Sequence, residues 1–112
     1  MDKNGKVKLG LIGLGTVGTG VVKVLKDYEN IEITRIAVKN LNKKRDIENL
    51  DQSILTDDPF SIVTAPDIDI VVEVIGGTQP AYELLKTAIK NKKHIVTANK
   101  ELLAKHGEEL FN

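Results

Sequence analysis

The glycine pattern Gly13-x-Gly15-x-x-Gly18 constrains the fold most, because it separates two different apolar spacings. Before it, the apolar run VKLGLI (Val7–Ile12) predicts a buried strand. After it, the apolar residues recur at a helical spacing: Val17, Val21, Val24, Leu25 and Tyr28. A glycine string alone is a weak signal. Between a strand and a helix, in a βαβ unit of about 30 residues, it is typical of dinucleotide binding.

Each glycine of this pattern has its own predicted task. Gly13 allows the tight turn, Gly15 lets the backbone approach a pyrophosphate, and Gly18 lets the helix pack closely on the strand. The free N–H groups from Thr16 to Gly18 then face the phosphates at the positive end of the helix dipole. Gly20 is interpreted as a further position of close helix packing. A glycine turn without a ligand is the alternative, although glycine inside a helix costs up to ~1 kcal/mol.

The rest of the chain alternates strand and helix patterns, which predicts βαβ units and a parallel sheet. Further strands are expected at Ile31–Val38, at the short run SIL (residues 53–55), at Asp67–Gly77 and at His94–Ala98. Helices are expected to begin at Asp58 and Pro59, at Pro80 and at Asn99. The third helix should bury one face made of Ala81, Leu84, Leu85, Ala88 and Ile89. No Gly-Lys-Ser/Thr follows the glycine turn, which excludes a P-loop.

The residues after the second strand bear on the choice of dinucleotide. NAD-binding folds tend to place a carboxylate there for the ribose hydroxyls, whereas this chain has Val38, Lys39 and Asn40. The basic run 43–45 (Lys-Lys-Arg) follows closely. Cations where a 2′-phosphate would lie favour NADP, with NAD still possible. The alternative for residues 43–45 is a solvated loop, and Lys39 is the stronger candidate.

Two more predicted strands end where ligands bind in open α/β sheets, beyond the carboxyl ends of the strands. Gly76 and Gly77 are expected beside the cofactor, where a bare backbone leaves room for the ribose or nicotinamide. Asn99 is a plausible helix N-cap, and Lys100 is a candidate for holding a substrate carboxylate or polarising a carbonyl. Glu73 lies inside an apolar strand, so it is either functional or hydrogen-bonded to neighbouring backbone.

Composition narrows the function classes further. The 112 residues fit one domain, and 16 basic residues balance 16 acidic ones, which gives no field that favours nucleic acid or a membrane surface. The absence of cysteine excludes thiolate chemistry in this segment. His94 and His106 lack metal-ligand spacing, so no metal site is expected. Without a leader or a spanning segment in the sequence, a cytoplasmic protein is expected.

Taken together, the motifs LGLIGLGTVGTGVV, RIAVKN, DIDIVVEVIGGTQPA and HIVTANKELLAKHGEEL closely resemble the N-terminal part of homoserine dehydrogenase. The resemblance covers nearly the whole chain in the family's order. It implies NAD(P)H-dependent reduction of L-aspartate 4-semialdehyde to L-homoserine, on the route to threonine, methionine and isoleucine. It also implies a Rossmann-type, doubly wound parallel sheet in three αβα layers, with strand order 3-2-1-4-5.

By position, the resemblance assigns cofactor contacts to the loop Gly13, Leu14, Gly15, Thr16, Val17 and Gly18. It places Lys39 at the adenosine phosphate, where arginine is commoner in the family. It places Lys100 at the nicotinamide and substrate.

Residues 1–112 are therefore expected to be a dinucleotide-binding domain of a longer, monofunctional enzyme. A last strand, the main acid–base residues and a dimerising substrate domain would lie beyond this chain. Alone, the domain should bind cofactor weakly and show no turnover. The alternatives are a nucleotide-sensing module, a dihydrodipicolinate reductase or an aspartate-semialdehyde dehydrogenase; the last needs a cysteine nucleophile.

Overall fold

A computed structural model describes residues 5–45, 47–75, 77 and 79–111. Its strands are β1 (Val7–Ile12), β2 (Ile31–Ala37), β3 (Leu55–Thr56), β4 (Ile70–Glu73) and β5 (His94–Thr97). Its helices are α1 (Thr16–Leu25), α2 (Phe60–Val63), α3 (Ala81–Lys90) and α4 (Lys100–Phe111), and a 3-10 turn spans Gln52–Ile54.

The strands form one five-stranded parallel sheet in the order β3-β2-β1-β4-β5, which confirms the predicted order. The chain runs outward from β1 through β2 to β3, then returns to pair β4 with the other side of β1. The strand order therefore reverses between β1 and β4. A crevice outside the carboxyl ends of these two strands is where open α/β sheets bind ligands.

Helices pack on both faces of the sheet through apolar side chains, so the fold has the three predicted layers. On one face, α2, α3 and α4 bury a cluster that includes Ile62, Leu84, Leu85 and Leu102. On the other face, α1 and the segment before β3 cover Leu9, Leu11, Val22 and Ile36. The approach of α2 to the sheet needs Gly10 in β1, because a Cβ there would lie 2.4 Å from Cγ2 of Ile62.

Two strands, β2 and β5, end one residue before their predicted bounds, and two others differ by more. The third strand begins at Leu55, because the Asp51 carboxylate accepts hydrogen bonds from the Ser53 N–H (2.9 Å) and hydroxyl (2.6 Å) and closes a 3-10 turn over most of SIL. The fourth strand is limited to Ile70–Glu73. Before it the chain turns, with the Ile68 N–H bonded to the Ala65 carbonyl. After it the Val74 N–H still donates to the Ile12 carbonyl at 2.9 Å, and Ile75 lies against Gly13.

Helix α1 exposes part of its predicted apolar stripe. Val17, Val24 and Tyr28 are 56%, 59% and 54% exposed, and the helix ends at Leu25. Gly18 and Val22 form the buried side instead. The predicted buried face was therefore rotated relative to the real one.

The later helices follow the predictions closely. In α3 the buried residues are Ala81, Leu84, Leu85 and Ala88, while Ile89 at the end of the predicted face is exposed. Asp58 accepts a hydrogen bond from the Phe60 N–H at 3.1 Å, but α2 begins at Phe60 with Pro59 as its N-cap, one residue later than predicted. Across the described residues, no helix has the length and hydrophobicity required to cross a bilayer.

Candidate functional site

The turn after β1 requires glycine at its first position for two independent reasons. Gly13 has φ +106°, a conformation that side chains with a Cβ rarely adopt. A Cβ there would also lie 2.8 Å from Cγ2 of Ile75 and 3.2 Å from its backbone nitrogen. The Gly13 N–H donates to the Ala37 carbonyl at 3.0 Å. The turn is therefore held between the ends of β2 and β4.

Gly18 brings the first turn of α1 directly onto this turn. A Cβ on Gly18 would lie 2.2 Å from the Gly13 carbonyl oxygen and 3.3 Å from Cγ2 of Val74. Since the first of these neighbours is backbone, it cannot move aside like a flexible side chain. Close packing of helix on strand at Gly18, predicted from the pattern, is confirmed.

Gly15 differs from both, because none of the residues that the structure describes requires it to be glycine. Its φ of −82° is ordinary for any residue, and a Cβ there would meet no atom within 4 Å. It is the N-cap of α1 and makes no side-chain cap bond. The first turn of any helix leaves its N–H groups without intrahelical partners. Gly15 and Thr16 are exposed beside these donors, so the open space lies where an anion would be attracted.

A groove of about 510 Å³ runs along this helix start and ends at the basic loop 43–45. Its lining residues are Leu14, Gly15, Thr16, Thr19, Gly20, Lys23, Lys43, Lys44 and Arg45. The Arg45 guanidinium donates to the carbonyls of Lys43 (2.8 Å) and Asn40 (2.5 Å), which fixes the shape of the loop. Cations from two separate segments thus converge beside the glycine turn.

One predicted detail of this region, the packing of Gly20, is wrong. Gly20 was expected to pack closely against a neighbour, but it is exposed and a Cβ there would meet nothing within 4 Å. Gly20 lines the groove instead. Lys39 is exposed just beyond β2, and the groove is lined by the loop 43–45 rather than by Lys39. The basic loop 43–45 therefore lies along the same groove as the start of α1.

A second group of site residues lies at the carboxyl ends of β4 and β5. Glu73 is fully buried and accepts hydrogen bonds from the Ile75 N–H (2.9 Å) and the Thr97 hydroxyl (2.6 Å). The expected bond to neighbouring backbone is present, and Thr97 adds a long-range partner. Asn99 caps α4 as predicted, since its Oδ1 accepts from the Leu102 N–H at 3.0 Å.

Lys100 is the first residue of α4 and is exposed. A cation at the positive end of a helix dipole is unfavourable, where an acidic residue would be stabilising by about 0.3–1 kcal/mol. Stability therefore does not explain a lysine at this position. Since β5 lies two strands from β1, Lys100 follows a strand about 10 Å from the one that carries the glycine turn.

The loop between β4 and α3 contains the other two predicted glycines. Gly77 has φ +76°, which favours glycine, and its carbonyl accepts a hydrogen bond from the Asn99 side chain. Gly76 lies outside the described residues. The loop ends in a cis peptide bond between Gln79 and Pro80.

A larger cavity, of about 890 Å³, lies at the amino ends of β1, β4 and β5, away from all these residues. Its lining includes Asp69, Lys93 and His94. Lys93 is buried and donates to the carbonyls of Ala65 and Ile68. The Lys8 backbone N–H, 2.8 Å from the Asp69 carboxylate, lowers the pKa of that carboxyl. These polar groups are used within the fold itself.

The two histidines have the structural or exposed positions expected of them. His94 is exposed, and the His106 ring stacks on Tyr82 with 4.0 Å between ring centroids. The Tyr82 hydroxyl donates to Glu109 at 2.6 Å, which raises the pKa of Tyr82 and lowers that of Glu109. Within the described part of the chain, no group of three histidine, cysteine, aspartate or glutamate residues is arranged to hold a metal ion.

Sequence reasoning missed Thr97, Thr19 and Lys23 as members of the site. Thr19 and Lys23 follow Gly15 at four-residue steps, so helical periodicity from the glycine turn would have found them. Thr97 carried no comparable signal, because its partner Glu73 is 24 residues away.

Comparison with known proteins gives one consistent family. The family model for the NAD binding domain of homoserine dehydrogenase matches residues 13–112. The homoserine dehydrogenases of Bacillus subtilis and a Synechocystis species are 42% and 48% identical to this chain over 114 and 112 residues. Each alignment covers 94% of this chain and 26% of the relative.

Solved structures agree. The homoserine dehydrogenase of S. aureus superposes with a TM-score of 0.85 at 44% identity, covering 94% of this chain and 29% of that one. The Thiobacillus denitrificans enzyme gives 0.81 at 48% identity, covering 95% and 26%. The chain thus spans about a quarter of the length of the relatives that it matches.

Proposed function

This chain belongs to the homoserine dehydrogenase family through its NAD-binding domain, and we propose that it is the cofactor-binding part of an enzyme that interconverts L-aspartate 4-semialdehyde and L-homoserine. The observation that carries the proposal is the surroundings of Gly15. Neither backbone strain nor packing requires glycine there, yet the position faces open space at a helix N-terminus. A ligand that fills this space gives the missing reason for a residue without a side chain.

A nicotinamide dinucleotide fits the residues present. Gly13 and Gly18 shape the turn, and Leu14 packs against the apolar cluster beneath α1. Gly15, Thr16 and Val17 then offer backbone N–H groups to a diphosphate, helped by the dipole of α1. Lys23 and the loop 43–45 add positive charge along the same groove.

We place the adenosine end of the dinucleotide on the β2 side of the glycine turn. Lys39 follows β2 directly, and Lys43, Lys44 and Arg45 line the groove. Charge–charge attraction at such an exposed site is on the order of 1–4 kcal/mol at 4 Å, between the values for water and for a protein surface. A 2′-phosphate gains this attraction and a bare ribose does not, so NADP is the preferred cofactor and NAD the weaker one.

The nicotinamide end then lies over β4 and β5, beside Gly77 and Lys100. When bound, the cofactor supplies the hydride that the reaction transfers. Lys100 holds the substrate by its carboxylate or by the carbonyl oxygen, where a cation stabilises developing negative charge. The remaining acid–base groups, the substrate pocket and a homo-oligomeric interface are assigned to the part of the relatives' length that this chain does not span. We place the whole enzyme in the cytoplasm and in amino-acid biosynthesis.

Titration calorimetry with NADP⁺ and NAD⁺ tests the cofactor assignment on this chain. The wild type should bind NADP⁺ more tightly. Lys39→Glu and the double variant Lys43→Glu/Lys44→Glu should each weaken NADP⁺ by about tenfold or more, since they reverse a charge near the phosphate. NAD⁺ affinity should fall much less with Lys39→Glu.

Lys90→Glu is the matched control. Lys90 is exposed at the end of α3, shortly before the amino end of β5 and away from the carboxyl ends of the strands. It should leave both affinities unchanged. Tighter binding of NAD⁺, unaffected by Lys39→Glu, would refute the preference for NADP. Absence of saturable binding of either dinucleotide would refute the proposed function.

A further inference from the structure

Glu73 is a buried acidic side chain that the proposed function leaves without a task. It is 0% exposed and lies in β4 next to Val72. Burying a carboxylate carries a desolvation penalty, and well-packed apolar side chains of similar volume are often as stable or more stable. Stability alone therefore gives no reason for a glutamate at this position. The bonds that it makes suggest another reason.

Its carboxylate joins the ends of two strands. Oε2 accepts from the Ile75 N–H at 2.9 Å, just beyond β4, and Oε1 accepts from the Thr97 hydroxyl at 2.6 Å, at the end of β5. Each carboxylate oxygen thus accepts a hydrogen bond from a donor at the end of a different strand.

Thr97 extends this hydrogen-bond network to the start of α4. Because its hydroxyl proton is directed to Glu73, its oxygen is free to accept, and it does so from the Asn99 N–H at 3.0 Å. The Asn99 side chain then bonds in two directions: Oδ1 accepts from the Leu102 N–H at 3.0 Å, and Nδ2 donates to the Gly77 carbonyl. The neighbour of Asn99 in the chain is Lys100.

The same network reaches the glycine turn through Ile75. The Ile75 N–H is bonded to Glu73, and the residue also packs on Gly13 so closely that a Cβ there would lie 2.8 Å from the Ile75 side chain. One connected set of contacts thus runs from the turn at Gly13 to the helix that begins at Lys100.

We propose that Glu73, Thr97 and Asn99 form a positioning relay that holds Lys100 and Gly77 in fixed places relative to the glycine turn. The inference rests on the proposed function and adds residues that act through others. None of the three touches reacting atoms. The relay sets where the nicotinamide end of the site lies once the phosphate end is occupied.

Thr97 is the best position for a test, because its hydroxyl can be removed at nearly constant shape. The variants are Thr97→Val, which lacks the hydroxyl, and Thr97→Ser, which keeps it. Thr34→Val is the matched control. Thr34 lies in β2, and its part-buried hydroxyl donates to the carbonyl of Leu9 in β1 at 3.4 Å. Each variant is titrated with NADP⁺ and with adenosine 2′,5′-bisphosphate, which lacks the nicotinamide half.

Thr97→Val should weaken NADP⁺ by several-fold to about tenfold, which is the upper end of what one hydrogen bond contributes to the placement of Lys100 and Gly77. The affinity for the bisphosphate should change by less than about twofold, because the glycine turn and the basic loop remain. Thr97→Ser should return NADP⁺ affinity to within about threefold of the wild type. Equal losses for both ligands would show a general structural defect and overturn the proposal, as would an unchanged affinity for NADP⁺.

Amide hydrogen exchange on the ligand-free chain separates failure of the relay from failure of the proposed function. In Thr97→Val, the amides of Asn99 and Leu102 should exchange faster, while that of Val72 stays protected. Unchanged exchange at Asn99 and Leu102 would overturn the relay even if NADP⁺ binds. A wild type that binds no dinucleotide, with this exchange response intact, would instead overturn the proposed function and the relay's assignment to it.

Discussion

Adding one methyl group at Gly15 or at Gly18 should separate ligand binding from stability. The two glycines are three residues apart at the start of the same helix, so the added local hydrophobicity is similar in both. Their surroundings differ completely. A Cβ on Gly18 would lie 2.2 Å from a backbone oxygen, whereas one on Gly15 would meet nothing within 4 Å.

The expected sizes follow from these distances. For Gly18→Ala, overpacking costs about 1–3 kcal/mol, and alanine in a helix regains up to about 1 kcal/mol. The free energy of unfolding should fall by about 1–2 kcal/mol, which lowers Tm by about 4–8 °C. For Gly15→Ala, the loss of capping, up to about 1 kcal/mol, is offset by about 0.4–1 kcal/mol of reduced unfolded-state entropy. Stability should stay nearly constant.

Dinucleotide affinity should show the reverse order. A methyl group at Gly15 would occupy the space assigned to the diphosphate and weaken NADP⁺ by about tenfold to a hundredfold, if its crowding is comparable with that in an overpacked core. Thermal unfolding followed by circular dichroism, with calorimetric titration of each folded variant, measures both effects. If Gly15→Ala bound NADP⁺ like the wild type, or if Gly18→Ala were fully stable, the assigned tasks of the two glycines would be wrong.

Two further predictions concern charged groups. Lys100→Ala should leave the Tm of this chain unchanged or slightly raised, because it removes an exposed cation from a helix N-terminus. In a full-length enzyme, the same substitution should lower turnover by at least about a hundredfold. Normal turnover in that enzyme would exclude Lys100 from the reaction. The lowered pKa of Asp69 means that its carboxylate stabilises the fold above its unfolded pKa of about 4 and that this contribution is lost as pH falls through the folded value. Asp69→Asn should therefore be less stable than the wild type at neutral pH and lose less stability on acidification, as measured by urea unfolding between about pH 7 and pH 3; parallel pH profiles for the two proteins would contradict this.

The strands and helices were predictable from sequence because their signals are local, and the order of the strands followed from the family resemblance. Short β-branched runs alternate with helical spacings, and each change of spacing occurs at a glycine, a proline or a capping residue. The demand for glycine at Gly13 and Gly18 follows from the same turn. No long-range contact had to be known.

The buried side of α1 was not predictable, because apolar spacing identifies a helix without stating which way it faces. The close approach at Gly18 decides the rotation. Gly18 and Val22 are four residues apart and face the sheet together, which turns Val17 and Val24 outward. A backbone contact, and not the distribution of hydrophobic residues, therefore sets this helix.

The polar part of the site shows the same limit more strongly. Glu73 could be recognised as an unusual charge in an apolar strand, and Asn99 as a cap. That the two are joined through Thr97 depends on strands that are adjacent in the sheet but separated by 24 residues in sequence from Glu73 to Thr97. Likewise, the placement of the loop 43–45 beside the glycine turn depends on the path of the chain after β2.

A titration of the ¹⁵N-labelled chain with NADP⁺, followed by amide chemical shifts, tests most directly whether a diphosphate binds at the start of α1. The largest saturable shifts should fall on Gly15, Thr16 and Val17, with smaller ones at Lys39 and in the loop 43–45. Shifts concentrated around Lys93 and His94, at the amino end of β5, would contradict the account. The absence of any saturable shift would contradict it as well.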